Sequence, residues 1–107
     1  MNPQDPRLYA DPRGVWRDDG AGRIHGIRWT DIDGIDGYAI DANERRLIFV
    51  EVGTATGERL ELRTDWPGYR EVAMAMSVHL PGLDVGALQR LEQTRPEDPP
   101  TILWWKD

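Results

Sequence analysis

Residues 47–64, LIFVEVGTATGERLELRT, can satisfy their hydrophobic pattern in few ways other than a β-hairpin. In an extended chain, alternate side chains point to opposite faces. Leu47 and Phe49 then share one face, and Ile48, Val50 and Val52 share the other. Apolar residues on both faces predict a central strand, covered on both sides. GTATG, with glycine at both ends, is a short hairpin loop. The return strand alternates cleanly, with Leu60 and Leu62 inward and Arg59, Glu61 and Arg63 outward. That is the pattern of a half-exposed antiparallel strand.

Immediately afterwards the period changes. In TDWPGYREVAMAMSVHLPG, residues 64–82, Tyr69, Val72, Ala73, Met76 and Leu80 recur at helical spacing. Asp65 is the expected N-cap, Pro67 fits the first turn, and Pro81 with Gly82 ends the helix. A shorter helix is expected from Asp84 to about Gln93, with Val85, Leu88 and Leu91 as its apolar stripe. TRPEDPP is a stiff linker and TILWWK a final strand rich in β-formers. Upstream, GVWR, DDGAG and RIHGIRW read as strand, turn, strand. Ile32 and Ile35, three apart, predict a single helical turn capped by Thr30 or Asp31. GYAID is then a strand start, and DANERR turns the chain. Residues 1–13, with Pro3, Pro6 and Pro12, read as a flexible N-terminal arm that Leu8 and Tyr9 dock locally. Residues 14–107 read as a single α+β domain: a curved antiparallel sheet of five or six strands, one long and one short helix, and a C-terminal strand.

The segment DWPGY at residues 65–69 resembles a group of small bacterial proteins in which Asp-x-Pro-Gly-aromatic opens a helix ending near Leu-Pro-Gly. In that group a Trp-x-x-Ile segment lies upstream, matched here by Trp29 to Ile32, with a strand hairpin between. The resemblance covers about residues 24–83. The group is uncharacterised, so it implies a fold class and no catalytic residues. A curved antiparallel sheet with a packed helix is also similar to pleckstrin-homology-like folds. Those folds usually end in their long helix, whereas this chain continues to a strand.

Composition removes several kinds of activity. The chain has 107 residues, enough for one core, and no cysteine. Disulfides, thiolate metal sites and cysteine nucleophiles are therefore excluded. The formal net charge is −6, and Lys106 is the single lysine among scattered arginines. A phosphate backbone needs clustered cations, so no nucleic acid and no anionic membrane partner is expected. The N-terminal sequence carries no signal-peptide core, and the longest apolar run is far too short to span a bilayer. A soluble, cytoplasmic chain is the expectation.

Candidate sites are weak by motif. Asp31, Asp33 and Asp36 crowd between Gly34 and Gly37. A calcium loop begun at Asp31 has Asp33 at position 3 but Ile35 at 5, Asp36 at 6 and Ala42 at 12, so the frame fails. His25 and His79 lie far apart and call for no zinc; His79 suits the end of a helix. Ser77, the only serine, is mid-helix rather than on a nucleophile elbow. GRIHG and GTATG lack the phosphate-cradle spacing. No cofactor, metal or catalytic residue is assigned. Of five tryptophans, most are expected to pack in the core. Trp104 and Trp105 are adjacent on a strand, so one faces away from the core. With Asp31, Asp33 and Asp36 they form the expected interaction surface.

The leading reading is a non-enzymatic protein-binding domain, with an immunity or inhibitor-type protein for a basic partner as a special case. The competing reading is a small ligand-binding protein or enzyme, with Asp41, Glu51 and Glu61 lining a pocket beside a tryptophan. A third is a homo-oligomer joined through an open strand edge.

Overall fold

The computed structural model describes residues 5–107. The protein is α+β. Its strands form two antiparallel sheets rather than the one curved sheet expected. The first contains β1 (Arg7–Ala10), β2 (Gly14–Asp18) and β3 (Ile24–Arg28) in sequential order. The second contains β4 (Ile32–Ala42), β5 (Arg45–Thr54), β6 (Arg59–Arg63) and β7 (Thr101–Trp105), in the order β6-β5-β4-β7. The chain crosses between the two outer strands of that sheet through α1 (Tyr69–His79) and α2 (Val85–Arg90). A 3-10 turn, Leu91–Gln93, extends α2.

The division into two sheets has a local cause. After β3 the chain makes a 3-10 turn at Trp29–Asp31 and resumes as β4, paired with β5. A register shift between Ile32 and Gly34 inserts Asp33 as an extra residue. Such a bulge lets Ile32 and Ile35, three apart, both point into the core. Their spacing, which imitates a helix, belongs to a bulged strand.

Two further expectations need correction. Residues 7–10 of the expected arm form β1, paired with β2, and Leu8 is fully buried. Residues 1–4 of that arm lie outside the described residues. Asp65 does not cap α1. Its carboxylate instead accepts two hydrogen bonds from Arg63, at 2.9 and 2.7 Å, and one from Arg45 at 3.3 Å. The N-cap position belongs to Gly68, in the left-handed region at φ 88°. Pro67 accepts a hydrogen bond from the Leu8 amide at 2.8 Å, and a β-carbon on Gly68 would stand 1.8 Å from the Leu8 carbonyl oxygen. The Asp-x-Pro-Gly-aromatic motif is therefore the seat of β1 as well as a helix start. Asp84, where the shorter helix was expected to begin, is the residue that caps α2, accepting from the Ala87 amide at 2.9 Å.

One apolar cluster joins all of these elements. The three-stranded sheet contributes Leu8, Val15 and Ile27. The four-stranded sheet contributes Ile35, Ile48, Val50, Val52, Leu60, Leu62 and Leu103, and the helical segment Val72, Met76, Leu80 and Leu91. Leu91 lies over Gly37, where a β-carbon would come within 2.5 Å of its methyl group. The helical segment thus covers the inner face of the four-stranded sheet and leaves its outer face to solvent.

Candidate functional site

The outer face of the four-stranded sheet can be read off its cross-strand register, because directly paired residues share a face. One row runs Trp105–Gly34–Gly53–Arg59 and the next Ile102–Asp36–Glu51–Glu61. Beyond them lie Tyr38–Phe49–Arg63 and then Ile40–Leu47. Trp105 is 65% exposed, Ile102 60% and Ile40 41%. The Tyr38 and Phe49 rings stack at 5.5 Å and 14°. This is an apolar surface with a band of charge across its middle.

The charge band is unusual for a sheet. Like charges directly opposite one another are destabilising, yet Asp36, Glu51 and Glu61 occupy one row. Local partners moderate the repulsion. Arg59 approaches Glu51 with Nε 3.3 Å from Oε1. The Tyr38 hydroxyl lies 3.1 Å from Glu61 and 3.3 Å from Glu51, and its one proton serves only one of them at a time. Partial burial, then the hydrogen bond and charge of Glu61 and the charge of Glu51, push the Tyr38 phenol well above its ordinary range. Arg63 is engaged by Asp65. Among the described residues, neither Asp36 nor Glu61 has an ion-pair partner, so the band keeps unneutralised negative charge.

The expected surface residues separate. Trp105 and Asp36 lie on this outer face, in adjacent rows. Asp33 lies at the bulge beside them, its carbonyl accepting from the Lys106 amide at 2.9 Å. Asp31 is turned away and paired with Arg28 at 3.0 Å. Trp104 packs against the core and donates its indole N–H to the Pro81 carbonyl at 2.9 Å. Glu51 and Glu61 do meet, but Asp41 does not join them: it stands opposite Arg46 in the strand register, near the turn of the β4–β5 hairpin. Asp36 takes its place, and the neighbouring ring on that side is Tyr38. The signal was available: the symmetric loop after β5 sets Glu51 opposite Glu61, and alternation from Tyr38 sets Asp36 and Ile40 on its face.

Two concavities border this face. The smaller, about 100 Å³, lies between Asp33, Gly34, Asp36, Glu51, Gly53 and Arg59. The larger, about 640 Å³, lies between β3 and the β5–β6 loop and is walled by Arg28, Asp31, Thr54, Thr56, Glu58 and Lys106. Ser77 donates its hydroxyl to the Met74 carbonyl at 2.6 Å, an ordinary mid-helix bond. His79 stacks on Trp29. Among the described residues, no group of three or more His, Asp or Glu side chains is arranged to hold a metal ion. Likewise no helix among them is long and apolar enough to cross a membrane.

Comparison with protein-family models, with curated proteins and with solved structures finds no match to this chain. The functional reading therefore rests on the site itself.

Proposed function

We propose that the protein is a non-enzymatic binding domain that docks a basic protein through the outer face of its four-stranded sheet. The observation that carries this is the coincidence, on one uncovered face, of exposed Trp105 and Ile102 with the row Asp36–Glu51–Glu61. Exposed aromatic and aliphatic groups supply burial energy on docking. The carboxylates supply orientation, speed of association and choice of partner. A second copy of the chain is a poor occupant, since it would set carboxylates against carboxylates at a net charge of −6 per chain. An inhibitor or immunity-type role toward a basic protein is the special case this surface suits. The larger concavity has the volume of a ligand site, but such sites are mostly apolar, and its walls are mostly charged and hydroxyl side chains.

The test is capture of a partner from source lysate by the tagged protein, with a series of salt washes. A basic partner that is lost with rising salt, and lost entirely from the Trp105→Ala variant, is expected. Capture indifferent to both changes would sink the reading.

A further inference from the structure

Helix α1 turns Val72 and Met76 into the core, so its opposite side should be polar, as on any amphipathic surface helix. It is not. Met74 is 64% exposed and Val78 76%, and four residues apart they form one ridge. Beside that ridge, between α1 and α2, runs a groove of about 370 Å³. Tyr69, Ala73 and Leu88 pack on the core with one side and line the groove with the other. Val85, also exposed, extends the apolar surface at the start of α2. A contiguous apolar patch of this kind marks an interaction site, which single exposed side chains do not. Its charge is unlike that of the outer sheet face. Among the described residues, the charged side chains lining the groove are Arg70 and Glu92, which cancel.

We propose that the occupant of this groove is a second copy of the chain, packed through α1 across a two-fold axis at Met74. A two-fold contact requires one patch to carry both the projecting and the receiving element. Here the Met74–Val78 ridge projects and the groove beside it receives, so each copy's Met74 enters the other's groove. Met74 is the central residue of α1, so antiparallel helices that cross there overlap along their whole length of about 17 Å. The reversal also brings Arg70, which has no ion-pair partner among the described residues, to the end of the other groove where Asp84 caps α2. The carboxylate repulsion that bars a second copy from the outer sheet face does not arise on this neutral patch. The helices lie on the other side of the four-stranded sheet, so the pair points its two outer faces away from each other and leaves both free. Helices of 11 and 6 residues offer less than the roughly 800 Å² per partner of a standard interface, so the dimer is a weak, reversible one.

The experiment is sedimentation of the full chain from micromolar to millimolar concentration. The average mass is expected to rise from that of one chain toward that of two. Met74→Glu sets two carboxylates against each other at the axis and should hold the chain monomeric throughout, and Met74→Lys should do the same with two ammonium groups. An equimolar mixture of these two variants should associate again, because glutamate then meets lysine across the axis. Position 74 is exposed, so both variants should keep the urea midpoint of the dilute parent protein. Trp105→Ala, on the outer sheet face, should leave association unchanged. The proposal is overturned by a one-chain mass at every concentration, by dimers that persist in Met74→Glu, by a mixture that stays monomeric, or by dimers lost in Trp105→Ala. Capture of a different protein by a monomeric chain, abolished by Met74→Glu, would give the groove to that protein and overturn the second copy.

Discussion

The indole of Trp29 and the imidazole of His79 lie face to face, with centroids 4.5 Å apart and planes 11° from parallel. Trp29 follows β3 and is 8% exposed, and its N–H donates to the Asp11 carbonyl at 2.9 Å. His79 is the last residue of α1. The pair thus ties the end of the helix to the junction between the two sheets. Stacked aromatic pairs contribute about 0.5–1.5 kcal/mol beyond their buried area. His79→Ala should cost about 1 kcal/mol in urea unfolding, while His79→Phe, which keeps the stack, should cost less. Equal losses from both would show that the stack does not matter.

Gly68 should be the least replaceable glycine. It combines φ of 88° with a clash of any β-carbon against the backbone of Leu8. Gly68→Ala is expected to cost about 3 kcal/mol, from strain and forced separation of β1 from α1. Hydrogen exchange should show the amides of Arg7–Ala10 losing protection before those of β4 and β5. Gly34→Ala, with nothing nearer than 3.6 Å, should change stability far less.

The β4–β5 hairpin turns on Asn43 and Glu44, both left-handed at φ 50° and 65°. Ala42 pairs with Arg45, so this is a two-residue turn, the kind that favours Asn-Gly. Asparagine accepts the left-handed region and glutamate does so at a cost of about 1–2 kcal/mol. Glu44→Gly should therefore stabilise the protein by roughly 0.5–1 kcal/mol after the entropy of glycine in the unfolded chain is counted. A fall in the melting temperature would contradict this turn geometry.

Tyr69 sets an alkaline limit on stability. Burial, and then the charge of Glu92, push its phenol up to about 12 from an ordinary value near 10. The unfolded chain therefore ionises first. Stability is fully present below pH ~10 and falls as pH rises toward the folded value, by up to about 2–3 kcal/mol in total. Tyr38 acts in the same direction, so the informative comparison is between Tyr69→Phe and the parent protein. The variant should show a shallower loss of stability between pH 10 and 12 by urea titration.

Much of this structure can be read from local pattern. The β5–β6 hairpin, the α1 stripe and the Asp84 cap follow from period and capping chemistry, because neighbours in sequence decide them. The division into two sheets does not. It turns on one extra residue, Asp33, whose bulge makes Ile32 and Ile35 look helical. β1 was hidden because prolines at positions 6 and 12 flank it, while its pairing with β2 and its seat on Gly68 are tertiary. The site was half legible for the same reason. Exposure of Trp105 follows from strand alternation, but which of two adjacent tryptophans faces out depends on the irregular register of β7 beside Asp36.

The proposed docking surface makes its own demand on mutants: binding and folding should come apart. Trp105 and Ile102 are largely exposed, so Trp105→Ala and Ile102→Ser should each change stability by no more than about 0.5 kcal/mol. Each should still weaken partner capture by at least tenfold if this face is the docking surface, because apolar anchors at an interface centre commonly carry about 2 kcal/mol or more. Asp36→Asn should slow association and flatten the dependence on salt, since rim and steering charges act mainly on the rate of encounter. Leu103→Ala is the contrasting case. Leu103 sits two residues from Trp105 and is fully buried, so the variant should lose about 2–5 kcal/mol of stability. Surface plasmon resonance against the captured partner, read beside urea unfolding of the same variants, separates the two. Loss of binding in proportion to loss of stability across all four variants would mean that the outer face has no function of its own.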